Sequence, residues 1–63
     1  MNYYTLLDEN GKALWDSFRN EFFAREAFAA CEDAQTLVVH TRPLKQGRKS
    51  WQCKEVLLDR RAS

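Results

Sequence analysis

The soft donors in this 63-residue chain are Cys31, Cys53 and His40. A zinc centre needs three or four ligands close together, and neither a CxxC nor an HxxxH spacing occurs. The three therefore read as two buried thiols and a strand histidine. Cys-His nucleophilic catalysis meets a further obstacle, because so short a chain hardly encloses a pocket that excludes water and shifts pKa values. Glu26, Glu32 and Asp33 form a possible carboxylate cluster, but on a surface helix they are more simply its solvated face. Gly11 and Gly47 stand alone, which leaves no glycine-rich phosphate loop. The chain reads as non-enzymatic, with no cofactor and no metal.

The informative constellation is basic. Arg42, Lys45, Arg48, Lys49, Lys54, Arg60 and Arg61 cluster in the last third of the chain, with Trp51 among them. Lysines and arginines on a hairpin neutralise phosphates, and a nearby indole stacks on a base or sugar. Arg42, Lys45, Arg48, Lys49, Trp51 and Lys54 are thus the candidate partner-binding residues. A plainer role exists for them, since edge strands carry Lys and Arg to discourage aggregation. Net charge is only +1, but the total hides a division. Through Gln35 three basic residues face seven acidic ones, a balance of −4; from Thr36 onward seven basic residues face two acidic ones, a balance of +5. Such asymmetry points to a charged partner unless the halves satisfy each other within the fold. The acidic first half argues against a general nucleic-acid binder, which is basic overall. An anionic groove on a protein is served equally well by the same residues.

These residues must be held by a few elements. Residues 20–34 show the clearest helical period, with Phe23, Ala27, Ala30 and Ala34 on one stripe beside Cys31, a face expected to pack on a sheet. Asn20 is a good N-cap and Glu21 suits the positive end of the dipole. Residues 2–7 favour strand, and Asn10-Gly11 signals a hairpin through a type I′ turn. A second strand then spans residues 12–18. The competing reading, one helix over residues 12–34, makes a helix apolar on two sides, with Leu14, Trp15, Phe18 and Phe22 on one and Phe23, Ala27, Ala30 and Cys31 on the other. Residues 36–42, rich in β-branched side chains and bounded by Pro43, predict a third strand. A polar turn over residues 45–50 follows, and residues 51–59 predict a fourth strand with Trp51, Cys53 and Leu57 on one side and Lys54, Val56 and Leu58 on the other. The expected fold is α+β, in the order ββαββ, with one helix packed on an antiparallel sheet.

One domain over residues 1–63 is the natural division, near the lower limit of what folds alone. Eight aromatic residues are many for so small a core, so some are expected at the surface or in an interface. Two cysteines are too few for a secreted disulfide framework, no signal-peptide pattern opens the chain and no apolar run is long enough to span a membrane, so the expected compartment is the cytoplasm.

In size and layout the whole chain resembles the small accessory proteins of bacteriophages and mobile elements, including anti-CRISPR proteins and inhibitors of host polymerases or nucleases. The resemblance implies action without catalysis, by steric or electrostatic blockade of a larger host complex in the host cytoplasm. The expected partner is a protein complex with an anionic or nucleic-acid-binding surface. The alternative is a small nucleic-acid-binding regulator, as a monomer or a homodimer, that reads its target with the basic hairpin of residues 42–54.

Overall fold

The computed structural model describes residues 2–49 and 55–60. Strand β1 (Tyr3–Leu7) is followed by helix α1 (Glu21–Ala30), strand β2 (Thr36–His40) and strand β3 (Glu55–Asp59). The three strands form one antiparallel sheet in the order β1-β2-β3, and α1 packs on it. The α+β architecture expected from the hydrophobic pattern is the observed one.

Residues 12–18 touch β1 as the hairpin reading requires, but they pair only at points. Isolated antiparallel bridges join Leu7 to Ala13 and Tyr4 to Phe18. Tyr4 and Phe18 exchange both backbone hydrogen bonds, at 2.8 and 2.7 Å, and the Leu14 amide donates to the Leu6 carbonyl at 2.9 Å. Between the two bridges β1 advances three residues while the facing segment advances five, so two residues bulge out and no continuous ladder forms. The segment is thus neither a regular second strand nor an extension of α1.

The hairpin turns where Asn-Gly places it, by a different geometry. Gly11 has φ +83° but no non-glycine described residue has positive φ, which rules out a type I′ turn at Asn10. The Gly11 amide donates to the Asp8 carbonyl at 3.0 Å, and the Asp8 amide to the Lys12 carbonyl at 2.9 Å. This is a three-residue loop with glycine in the left-handed position. Asp8 Oδ1 secures it by accepting from the amides of Asn10 and Lys12 at 2.8 and 2.9 Å.

Helix α1 starts as expected, with Asn20 Oδ1 accepting from the Phe23 amide at 3.2 Å. Its buried face is not the expected one. Ala24 and Phe28 are buried, Ala27 and Cys31 pack against the same core, and Phe23 and Ala30 are exposed. Both stripes contain one phenylalanine and several small residues at helical spacing, so periodicity alone does not choose between them. Ala34 is buried as expected, but from the turn after the helix. Cys31 has left helical geometry, with φ −103° and ψ 110°, which ends α1 earlier than the sequence pattern suggests.

The sheet is covered on both faces. On one side Leu6, Leu37, Ala24, Phe28 and Ala34 form the main core, joined by Tyr4, Leu14, Phe18, Leu57 and Leu58. On the other, Leu7, Ala13 and Val38 pack with Leu44 from the connector between β2 and β3. Leu58 pairs with Leu37 but Val56 pairs with Val38, leaving Leu57 as an extra residue. That irregularity overturns the strict alternation expected for the last strand: Leu57 and Leu58 both reach the helix-side core. Trp51, Cys53 and Lys54 lie outside the described residues.

Arg60 closes the structure. Its guanidinium donates to the carbonyls of Phe28, Cys31 and Glu32 at 2.5, 2.9 and 3.3 Å and stacks 4.4 Å from the centre of the Phe28 ring. Helix α1 has no basic residue in its last turn. The charge that suits its negative end therefore arrives from the end of β3.

Candidate functional site: a fastened basic connector

The connector after β2 does not hang free. Ser17 is its main anchor, donating its amide to the Leu44 carbonyl at 3.0 Å and accepting the Leu44 amide on Oγ at 2.8 Å. The same Oγ lies 2.6 Å from Thr5 Oγ1 and 3.2 Å from the Leu44 carbonyl oxygen. A hydroxyl has one proton and two acceptor positions. Every contact is satisfied when Thr5 donates to Ser17, Leu44 N–H donates to Ser17, and Ser17 gives its own proton to the Leu44 carbonyl. Thr5 is fully buried, so an unmade bond there would be costly.

Further bonds hold the tip of the connector. Asp16 Oδ1 accepts from the Gln46 amide at 2.8 Å, and its other oxygen lies 3.8 Å from Lys45 Nζ. The Gly47 amide donates to the Ala13 carbonyl, and the Ala13 amide to the Arg48 carbonyl, both at 2.8 Å. Arg48 N–H closes a turn on the Lys45 carbonyl at 3.1 Å, with Gly47 at φ +83° in the position a type II turn reserves for glycine. Residues 44–48 are thus laid along residues 13–17, and Leu44 covers the face of the sheet remote from α1.

This placement brings Arg42, Lys45, Arg48 and Lys49 to the surface on a restrained loop. It also adds a residue that the division into halves had assigned to the acidic part. An antiparallel bridge sets Lys12 opposite Lys49, and both are exposed. The available signal was the Asn-Gly turn, which places Lys12 at the start of the returning segment. Trp15, 43% exposed, sits edge-on to Phe18 with ring centres 6.4 Å apart and precedes the Asp16 that holds Gln46. Trp51 and Lys54, the remaining expected members, lie outside the described residues.

Helix α1 lies on the opposite face of the sheet and carries the contrary charge. Glu21, Glu26, Glu32 and Asp33 are exposed on it and on the turn that follows, with Arg25 bonded to Glu21 at 2.7 Å. Its outward side also shows Phe22 and Phe23, 64% and 61% exposed and packed edge to face. A shallow open concavity there is lined by Phe22, Arg25, Glu26, Ala29 and Ala30. Among the described residues, the aromatic side chains exposed at the surface are Trp15, Phe22 and Phe23.

The described soft donors lie in different parts of the fold. His40 is buried in β2, opposite Tyr3, whereas Cys31 packs with the helix-side core. Among the described residues no group of three or more His, Cys, Asp or Glu side chains gathers as metal ligands, and no helix is long and apolar enough to cross a membrane. Compared with known proteins, the chain matches no family model, no curated protein and no solved structure.

Proposed function

We propose that the protein is a non-catalytic interaction module that binds a larger macromolecular complex through its basic connector and inhibits or redirects that complex by occupying a surface. The observation that carries this reading is the fastening of the connector by Ser17, Asp16 and Ala13, which presents Arg42, Lys45, Arg48 and Lys49 on a fixed backbone. Cations on a pre-ordered loop lose less conformational freedom on binding than cations on a free one. The opposite placement of the acidic helix matters too, because it keeps like charge away from an anionic partner and orients the protein as it approaches. A phage or mobile-element protein that blocks a host complex in the cytoplasm, of the anti-CRISPR or host-takeover kind, fits the size and layout.

The experiment is affinity capture with the immobilised chain from a lysate of the cell in which it acts, run beside a variant carrying Arg42→Glu, Arg48→Glu and Lys49→Glu. These three side chains form no ion pair with a described residue, so reversing them breaks none of the bonds that fasten the loop. A partner held by the wild type, released by salt and absent from the variant supports the reading. A partner retained equally by both removes it.

A further inference from the structure

We infer that Lys12 and Lys49 form a paired-ammonium site for the phosphodiester backbone of a nucleic acid, so that the connector face meets the nucleic-acid component of its target directly. The inference rests on the interaction reading above and names the chemistry that the same face recognises.

The juxtaposition is specific to the folded chain. Lys12 and Lys49 are thirty-seven positions apart, and the bridge between them places their side chains on the same side of the paired backbones. Directly opposed residues of an antiparallel pair have Cβ atoms about 5 Å apart, where like charges repel and destabilise the pairing. Neither ammonium forms an ion pair with a described carboxylate. The nearby Asp8 carboxylate is turned to the backbone, its Oδ1 accepting from the amides of Asn10 and Lys12. Two lysines held together with no ion pair to a described residue are stabilised by an anion that reaches both.

The pair suits phosphate, because each lysine acts as a point charge that approaches a phosphate oxygen from any direction. Lys45, Arg48 and Arg42 continue the positive charge along the connector, as suits a polymer that carries one negative charge on every residue. Trp15 supplies a half-exposed indole on the segment to which the connector is tied, a platform on which a base can stack.

The test is fluorescence anisotropy with a labelled DNA of about 20 nucleotides, single-stranded and as a duplex, across a salt series starting near 50 mM, with poly-L-glutamate as competitor. The wild type is expected to bind DNA with a negative log-log salt slope and to resist the polyglutamate. Lys12→Gln should flatten the slope by about one and weaken binding to all sequences alike. Its thermal midpoint should not fall, because a like-charge contact has been relieved. Absence of DNA binding near 50 mM salt, an unchanged slope in Lys12→Gln, or equal competition by polyglutamate overturns the inference, the last pointing to an acidic protein surface. If DNA binding fails while the triple reversal still loses its captured partner, the interaction reading survives alone. If the triple reversal keeps that partner, the interaction reading fails as well.

Discussion

Ser17 Oγ lies 2.6 Å from Thr5 Oγ1 and so connects a buried strand residue to the loop that carries the basic side chains. Ser17→Ala removes the acceptor of both the Thr5 hydroxyl and the Leu44 amide. Leaving buried polar groups unpaired costs about 1–3 kcal/mol, and each 1 kcal/mol lowers the midpoint of a domain this small by roughly 4–8 °C. Thermal unfolding should show that fall, and hydrogen exchange should show the Leu44 amide losing protection before those of Leu37 and Val38. Equal protection of Leu44 in both proteins would mean that the connector is held by something else.

The relation between Arg60 and the end of α1 gives a second expectation. Arg60→Ala removes three carbonyl partners and the stack on Phe28, and hydrogen bonds from a charged donor contribute about 1.5–3 kcal/mol. Arg60→Lys should recover only part of that loss, since an ammonium answers the helix dipole but lacks the planar fork that spans several carbonyls. Urea melts of the two variants separate the contributions. Full recovery by lysine would show that charge alone matters at this position.

The orientation of α1 is tested by two substitutions six residues apart. Ala24 has no exposed surface, so Ala24→Glu places a charge inside the core and should abolish cooperative folding. Ala30 faces outward, and Ala30→Glu should change stability by less than about 0.5 kcal/mol. Circular dichroism melts decide this. The reverse result would restore the face expected from periodicity.

That helix shows where reading the sequence succeeds and where it stops. Its existence and N-cap were legible because Asn20, Glu21 and the run of alanines are local signals. The buried face was not, because α1 is apolar around much of its circumference, and the side that meets Leu6 and Leu37 is set by distant residues. Leu57 was misplaced for a related reason: a bulge breaks the two-residue period without leaving a mark such as glycine or proline. For the site, the exposure of Arg42, Lys45, Arg48 and Lys49 follows from composition. The anchoring of their loop rests on Ser17 meeting Leu44 across twenty-seven positions, and Lys12 joins Lys49 only through the same contact between segments.

Both glycines have φ +83° and no atom within 4 Å of where a Cβ would lie, so substitution there strains the backbone without a steric clash. Gly11→Ala and Gly47→Ala should each cost about 1–2 kcal/mol, with valine worse because its branched side chain resists that conformation. Gly47→Ala acts on the connector and should also weaken partner binding beyond its effect on stability. Parallel melts and binding isotherms make the comparison.

The most direct measurement is the dissociation constant of the captured partner for the Arg42→Glu, Arg48→Glu, Lys49→Glu variant, taken by calorimetry beside the wild type after matching amide spectra show the fold intact. Three lost charge contacts of about 1 kcal/mol each predict an affinity roughly 100-fold weaker. An unchanged constant in a folded variant contradicts the proposed role of the connector and directs attention to Phe22 and Phe23 on the outer face of α1.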